Sequence, residues 1–242
     1  TEYVNRLAGA TLGIILLLAF VSSLIYWQKR RKIPLILLGI IVVTGFQGWM
    51  GSVVVSTNLL PGVLTAHMLL AFVVIAGLVY LYVKTAFGIR TSASFRIDNT
   101  MRYGLGLLIA LTLIQVLLGT QVRQQIDIIA KSFDLQQRNL WIDQLDWVFK
   151  VHRSFSLLLL VGNGLLCYQI IKYLNHYFAV YRAAIYLAVF VAIATITGIV
   201  MAYLNVQAWA QPTHLFLSCL IFGAQVYLFV ALGRKTRIET VS

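Results

Sequence analysis

Seven stretches of about twenty apolar residues, parted by short polar segments, limit this chain more than any other feature of its sequence. They fall at roughly 7–28, 33–56, 62–83, 103–122, 150–173, 182–204 and 212–233. A helix crossing a bilayer needs about 20 mostly apolar residues. Strands of a membrane barrel would instead alternate inward and outward over about ten residues, and these stretches are continuously apolar. The expected fold is therefore an all-α polytopic membrane protein with seven transmembrane helices. Composition agrees. Hydrophobic residues make up 60% of the chain and charged ones 11%, against about 25% charged in a soluble domain. That excludes disorder, a nucleic-acid-binding domain and an ordinary cytosolic enzyme; the lipid bilayer is the expected partner. The net charge of +12 clusters between apolar blocks, which is how topology is encoded rather than how nucleic acid is bound. Cys167 and Cys219 both lie in apolar runs, so neither a disulfide framework nor a thiolate metal cluster is expected.

Lys and Arg are divided unevenly between the two sets of connections. One set and the C-terminal tail carry Lys29-Arg30-Arg31-Lys32, Lys84, Arg90, Arg96, Arg102, Lys172, Arg182, Arg234, Lys235 and Arg237. The other carries Arg6, Arg123, Lys131, Arg138, Lys150 and Arg153. The richer side is expected to be cytoplasmic, with Thr1 outside and Ser242 inside. The longest outer segment, 123–149, has Ile126, Ile129 and Phe133 at helical spacing, so one or two interfacial helices are expected there. The chain begins at Thr1 without the pattern of a signal peptide, and a segment upstream is expected.

Displaced by 147 positions, the chain matches itself. Val4-Asn5-Arg6 falls on Val151-His152-Arg153, Gly51 on Gly198, His67 on His214, and Val79-Tyr80-Leu81 on Val226-Tyr227-Leu228. Apolar spans coincide easily, but Arg and His recurring at one offset carry weight. Outer helix ends map onto outer helix ends, so the repeat is parallel, about an axis along the membrane normal. The fourth stretch has no counterpart. Two four-helix halves, eight spans in a complete form, are expected, with the first helix of the first half missing here. The expected domains are 1–84, a first half-bundle of three helices; 85–102, a cytoplasmic linker; 103–234, a second, four-helix half-bundle; and 235–242, a cytoplasmic tail.

Three of the four histidines, His67, His152 and His214, lie at or near outer helix ends, whereas His176 falls in a cytoplasmic-side turn and reads as solvated surface. His152 and His214 are 62 residues apart, as are Asn5 and His67. Each half thus offers a pair at one membrane depth: His/His in the second, Asn/His in the first. Two imidazoles from separate helices suit bis-His haem ligation in a bundle, whereas zinc would require three or four ligands. The plainer alternative for each histidine is an interfacial hydrogen-bonding residue. Arg6 and Arg153 follow the paired positions and Arg123 ends the fourth stretch; lipid headgroups and haem propionates are equally open as their partners. Glu2 lies one helical turn before Asn5, either as an exposed terminal acid or as a carboxylate able to move protons beside the first-half site. Gln47 and Gln115 are expected to hydrogen-bond between helices, and Gly45, Gly48 and Gly51 to form a close-packing face.

These elements resemble the haem A synthase family of cytochrome oxidase assembly proteins. The resemblance rests on Glu2-Tyr3-Val4-Asn5-Arg6, Gln47-Gly48 through Pro61 to His67-Met68, Leu118-Gly119-Thr120-Gln121-Val122-Arg123, Val151-His152-Arg153-Ser154 and Thr213-His214-Leu215. It extends over essentially the whole chain. It implies eight spans in two halves, with a b-type haem on His152 and His214 in the second. It implies that haem O is received in the first half near Glu2 and His67, both as catalytic residues and His67 also as a metal ligand, with Asn5, Arg6, Arg123 and Arg153 as further cofactor-binding positions. The implied reaction is oxidation of the haem O C8 methyl to the formyl of haem A, with the haem O synthase and oxidase assembly factors as partners and a bacterial plasma membrane as the location. The chain departs from the family where Asn5 replaces a histidine, in the absence of the first span with its outer loop, and in the lack of cysteine in 123–149. The other expectations are a non-catalytic b-type haem electron-transfer protein and, more distantly, a repeat-fold transporter. The sequence leaves the oligomeric state open.

Overall fold

The computed structural model describes residues 2–57, 60–86 and 99–233, without the side chains of Glu2, Pro61, Ala86 and Asn99. The proposed tail 235–242, most of the proposed linker and the side chain of Glu2 therefore lie outside the described residues. The helices are α1 (Glu2–Ser23), α2 (Trp27–Arg30), α3 (Lys32–Ser56), α4 (Pro61–Ala86), α5 (Asn99–Ser132), α6 (Trp147–Tyr173), α7 (Phe178–Tyr203) and α8 (Ala210–Leu232). Among the described residues there is no strand. Among the described residues, with α1 and α2 counted as one span, seven segments are long and apolar enough to cross a membrane, as the sequence predicts. In those segments only 11–33% of the most apolar window is buried. Most apolar side chains thus face outward, which water would penalise and a bilayer solvates.

Local chemistry explains several helix starts. All three prolines fall in first turns: Pro34 in α3, Pro61 in α4 and Pro212 in α8. A missing N–H is harmless there because that donor has no intrahelical partner. At the start of α6 the Asp146 side chain accepts a hydrogen bond from the Val148 amide at 2.8 Å, an N-cap that fixes where the helix carrying His152 begins.

The chain divides into two compact units, Thr1–Gly88 and Ile89–Ser242. In the first, α1 packs on α3 and α3 on α4, around Leu16, Leu37, Ile40, Val74 and Leu81. In the second, α5, α6, α7 and α8 pack in sequence and α5 also meets α8, which closes a four-helix bundle. Its main apolar cluster includes Leu105, Leu166, Ile170, Leu187 and Leu228.

The segment 123–149 differs from expectation. Rather than separate interfacial helices, α5 runs unbroken to Ser132, followed by two single 3₁₀ turns at Arg138–Leu140 and Ile142–Gln144. The reason is local. Val122, Ile126 and Ala130 recur every four residues and bury against Trp141, Leu145 and Val148, while Arg123 and Asp127 pair along the same helix at 3.0 Å. Val206, from the α7–α8 turn, completes this second cluster at 2% exposure. It has φ 48°, unfavourable for a β-branched residue, and its burial offsets that cost.

Candidate functional site

In the second unit, His152 lies in the second turn of α6 and His214 in the second turn of α8. Both are half-buried, on helices joined directly by the Gln225–Asn163 side-chain bond at 2.9 Å. The structure thus places the two histidines singled out by spacing in the second turns of two helices of one bundle. One turn before His152, Val148 belongs to the cluster formed by the α5–α6 connection, and two turns after it Leu159 belongs to the main core. The histidine layer thus lies between two apolar layers.

Each ring has its own anchor. The Nδ1–H of His214 donates to the Ala194 carbonyl at 2.9 Å, with the Thr197 hydroxyl oxygen at 3.0 Å from the same nitrogen. A proton held on Nδ1 leaves Nε2 as the lone-pair nitrogen, and no protein group among the described residues bonds it. His152 is held through its backbone, whose carbonyl accepts from the Gln115 side-chain amide at 3.1 Å. Its ring rests on Gly119, where an added Cβ would lie 3.2 Å from Cε1. At Gly198 the corresponding distance to His214 Cε1 is 3.5 Å, an ordinary contact. Alanine gains about 1 kcal/mol over glycine in a helix interior, whereas overpacking costs about 1–3 kcal/mol. Gly198→Ala is therefore expected to leave the thermal midpoint in detergent unchanged or raised, and Gly119→Ala to lower it. Equal midpoints for the two variants would contradict the difference in ring contact.

A second polar layer lies deeper in the same bundle. Gln225 of α8 donates to the Asn163 side-chain oxygen of α6 at 2.9 Å, and Asn163 donates to the Leu159 carbonyl at 2.8 Å. Both are essentially inaccessible, at 0% and 1% exposure. Asn163 follows His152 by 11 residues and Gln225 follows His214 by 11. Eleven residues are about three helical turns, so on each helix the amide shares a face with its histidine. The amide bond fixes the register of α6 against α8 and so sets the two histidines at one level.

In the first unit, His67 lies in the second turn of α4. Gln47 of α3 donates to its backbone carbonyl at 2.8 Å and approaches its Nε2 at 3.4 Å. A Cβ at Gly51 would lie 3.4 Å from its Cε1. Gly51 and Gly198, equivalent under the 147-residue offset, thus carry equivalent histidines. Of the three glycines read as a packing face, Gly45 and Gly48 face open space; only Gly51 makes a close approach. Asn5 and Arg6 are exposed on α1, and the side chain of Glu2 lies outside the described residues. Arg123 is engaged by Asp127, and Arg153 is exposed with its guanidinium over the Phe149 ring at 5.8 Å. His176 is exposed. Among the described residues no three or more His, Cys, Asp or Glu side chains converge, so the histidine pair, not a multidentate cage, is the ligand set on offer. That donor set, two imidazoles on parallel helices with one tautomer fixed, is of a kind that could ligate a haem iron.

The reading of the sequence missed Thr197, Asn163 and Gln225. The signal was present: Asn163 and Gln225 are separated by the same 62 residues as His152 and His214.

The family described as COX15-CtaA, cytochrome oxidase assembly protein, matches residues 1–226. The chain is 33% identical over 127 residues to a haem A synthase of Methylobacterium radiotolerans, covering 49% of this chain. That match spans only about a third (33%) of the relative's own length. A haem A synthase of a Wolbachia from Brugia malayi is 24% identical over 245 residues, 92% of this chain and 70% of that protein. One of Bacillus cereus is 26% identical over 250 residues, 98% and 78% respectively. No solved structure matches the chain.

Proposed function

The chain belongs to the cytochrome oxidase assembly family, and from that premise we propose that it is a haem A synthase-like oxidoreductase in haem A biosynthesis. Its substrate is haem O, whose C8 methyl is oxidised to a formyl group. The observation that carries the reading is His152 and His214 in matching turns of α6 and α8, with the Nδ1 proton of His214 committed to Ala194 and its Nε2 left to donate a lone pair.

A haem b held there would supply one-electron redox chemistry at its iron. His152 and His214 would hold it through their imidazole nitrogens. Ala194 and Thr197 hold the His214 tautomer, Gly119 and Gly198 set the depth of the rings, and Asn163 with Gln225 keeps the helices in register. The apolar layers on both sides keep water from the histidine level. Arg153, and Arg123 after exchanging its half-exposed partner Asp127, offer cations to carboxylates at the rim. Exposed pairs of this kind are worth about 1 kcal/mol or less, so the exchange is easy. In the first unit His67 receives the substrate haem. Asn5, a poor iron ligand, stands where the family pattern has histidine, and Glu2 would serve as proton acceptor. The membrane is a bacterial plasma membrane with Thr1 outside and Ser242 cytoplasmic, and the haem O synthase and oxidase assembly factors are partners.

The test supplies the purified full chain with haem O and an electron acceptor, then identifies extracted haems by chromatography. Haem A is expected in the extract. Unchanged haem O alongside bound haem B would overturn the synthase reading and leave electron transfer.

A further inference from the structure

Positions 47 and 194 are equivalent under the 147-residue offset, and they treat equivalent histidines in opposite ways. In the second unit the residue is Ala194, whose backbone carbonyl takes the Nδ1–H of His214, with Thr197 beside it. In the first unit it is Gln47, and the counterpart of Thr197 is Met50, which has no hydroxyl. The Gln47 amide nitrogen lies 3.4 Å from His67 Nε2, while His67 Nδ1 is buried without a hydrogen-bond partner among the described residues. The nitrogen left open in one unit is therefore faced by a side-chain amide in the other.

We propose that Gln47 is a displaceable cap on His67, which makes the first-unit histidine an exchangeable ligand toward haem while His214 is a fixed one. This rests on the haem chemistry proposed above. The contact at 3.4 Å is long for a hydrogen bond, and the amide is neutral and carried on a chain with several rotamers. The same Gln47 nitrogen makes the better bond, 2.8 Å to the His67 carbonyl, so it can swing off Nε2 about that bond and stay poised beside the ring. A group that binds the imidazole must displace this amide, and the amide can return when the group leaves. Such behaviour suits a site that must release its product, and it is absent at His214, where alanine leaves nothing to compete for Nε2. The net worth of a hydrogen bond of this kind corresponds to about three- to tenfold in affinity.

The experiment loads the full chain with haem B and follows its transfer to an excess of a haem-scavenging apoprotein by absorbance. Two phases are expected, the faster lost in His67→Ala and the slower in His214→Ala. Gln47→Leu, which fills the same space without the amide, is expected to slow the faster phase about three- to tenfold and to leave the slower one unchanged. Gln47→Ala should do the same. A faster phase at the wild-type rate in both variants would overturn the proposal. So would a slower phase lost in His214→Ala with no phase dependent on His67, although the second-unit reading would then stand. If neither histidine variant removes a phase, the proposed function fails as well.

Discussion

His214→Ala is expected to abolish the low-spin b-type absorption of the purified, haem-loaded chain, and His67→Ala to leave it in place. The effect is all or none because His214 supplies one of only two imidazoles at its level, and no third His, Cys, Asp or Glu among the described residues converges there to replace it. His152→Ala should behave in the same way. The graded member of the series is Thr197→Val, which removes the hydroxyl beside Nδ1 but leaves the Ala194 carbonyl 2.9 Å away. It should retain the spectrum and bind haem more weakly, by up to about tenfold, the span of one net hydrogen bond. A low-spin spectrum surviving in both His152→Ala and His214→Ala would mean that the ligands are elsewhere. Reduced-minus-oxidised spectra at equal protein concentration provide the comparison.

The second large effect concerns the buried amide pair. Gln225→Leu leaves the Asn163 carbonyl oxygen without its donor at a position 1% exposed. Stranding a buried polar atom costs about 1–3 kcal/mol in soluble proteins, and interhelical hydrogen bonds in membranes average nearer 0.6 kcal/mol with a maximum near 1.7. A loss of about 1–2 kcal/mol is therefore expected, read as a lower unfolding midpoint in detergent. The double variant Asn163→Leu/Gln225→Leu should recover most of it, because replacing both partners by apolar groups of similar shape is nearly neutral. The first unit already shows this solution: the equivalent positions are Leu16 and Leu78, packed in its core. A double variant less stable than both singles would contradict this account.

The leucine pair in one half and the amide pair in the other show what the sequence could reveal. The spans were legible because twenty apolar residues leave few alternatives to a membrane helix, and the 147-residue repeat followed from His67 and His214 together with Arg6 and Arg153. The histidine pair of the second unit was legible because two helices in the same direction preserve a 62-residue offset at every depth. The same logic would have revealed Asn163 and Gln225, but single amides in apolar runs carry no signal until paired. The end of α5 was misplaced for a different reason. Charged residues after 122 indicate the membrane edge, and a helix is free to continue past that edge when Arg123 and Asp127 pair along it and Ile126 and Ala130 find an apolar partner in Trp141. Ring anchors such as Ala194 were not legible, since they act through a backbone carbonyl that any residue would provide.

His152 and His214 are proposed to hold one haem between α6 and α8. The electron paramagnetic resonance spectrum of the oxidised full chain, purified after growth or reconstitution with haem, tests it most directly. A low-spin ferric signal with two imidazole ligands is expected, disappearing in His214→Ala and persisting in His67→Ala. A folded preparation showing no low-spin ferric signal, or one whose signal is lost with His67 and kept without His214, would contradict it.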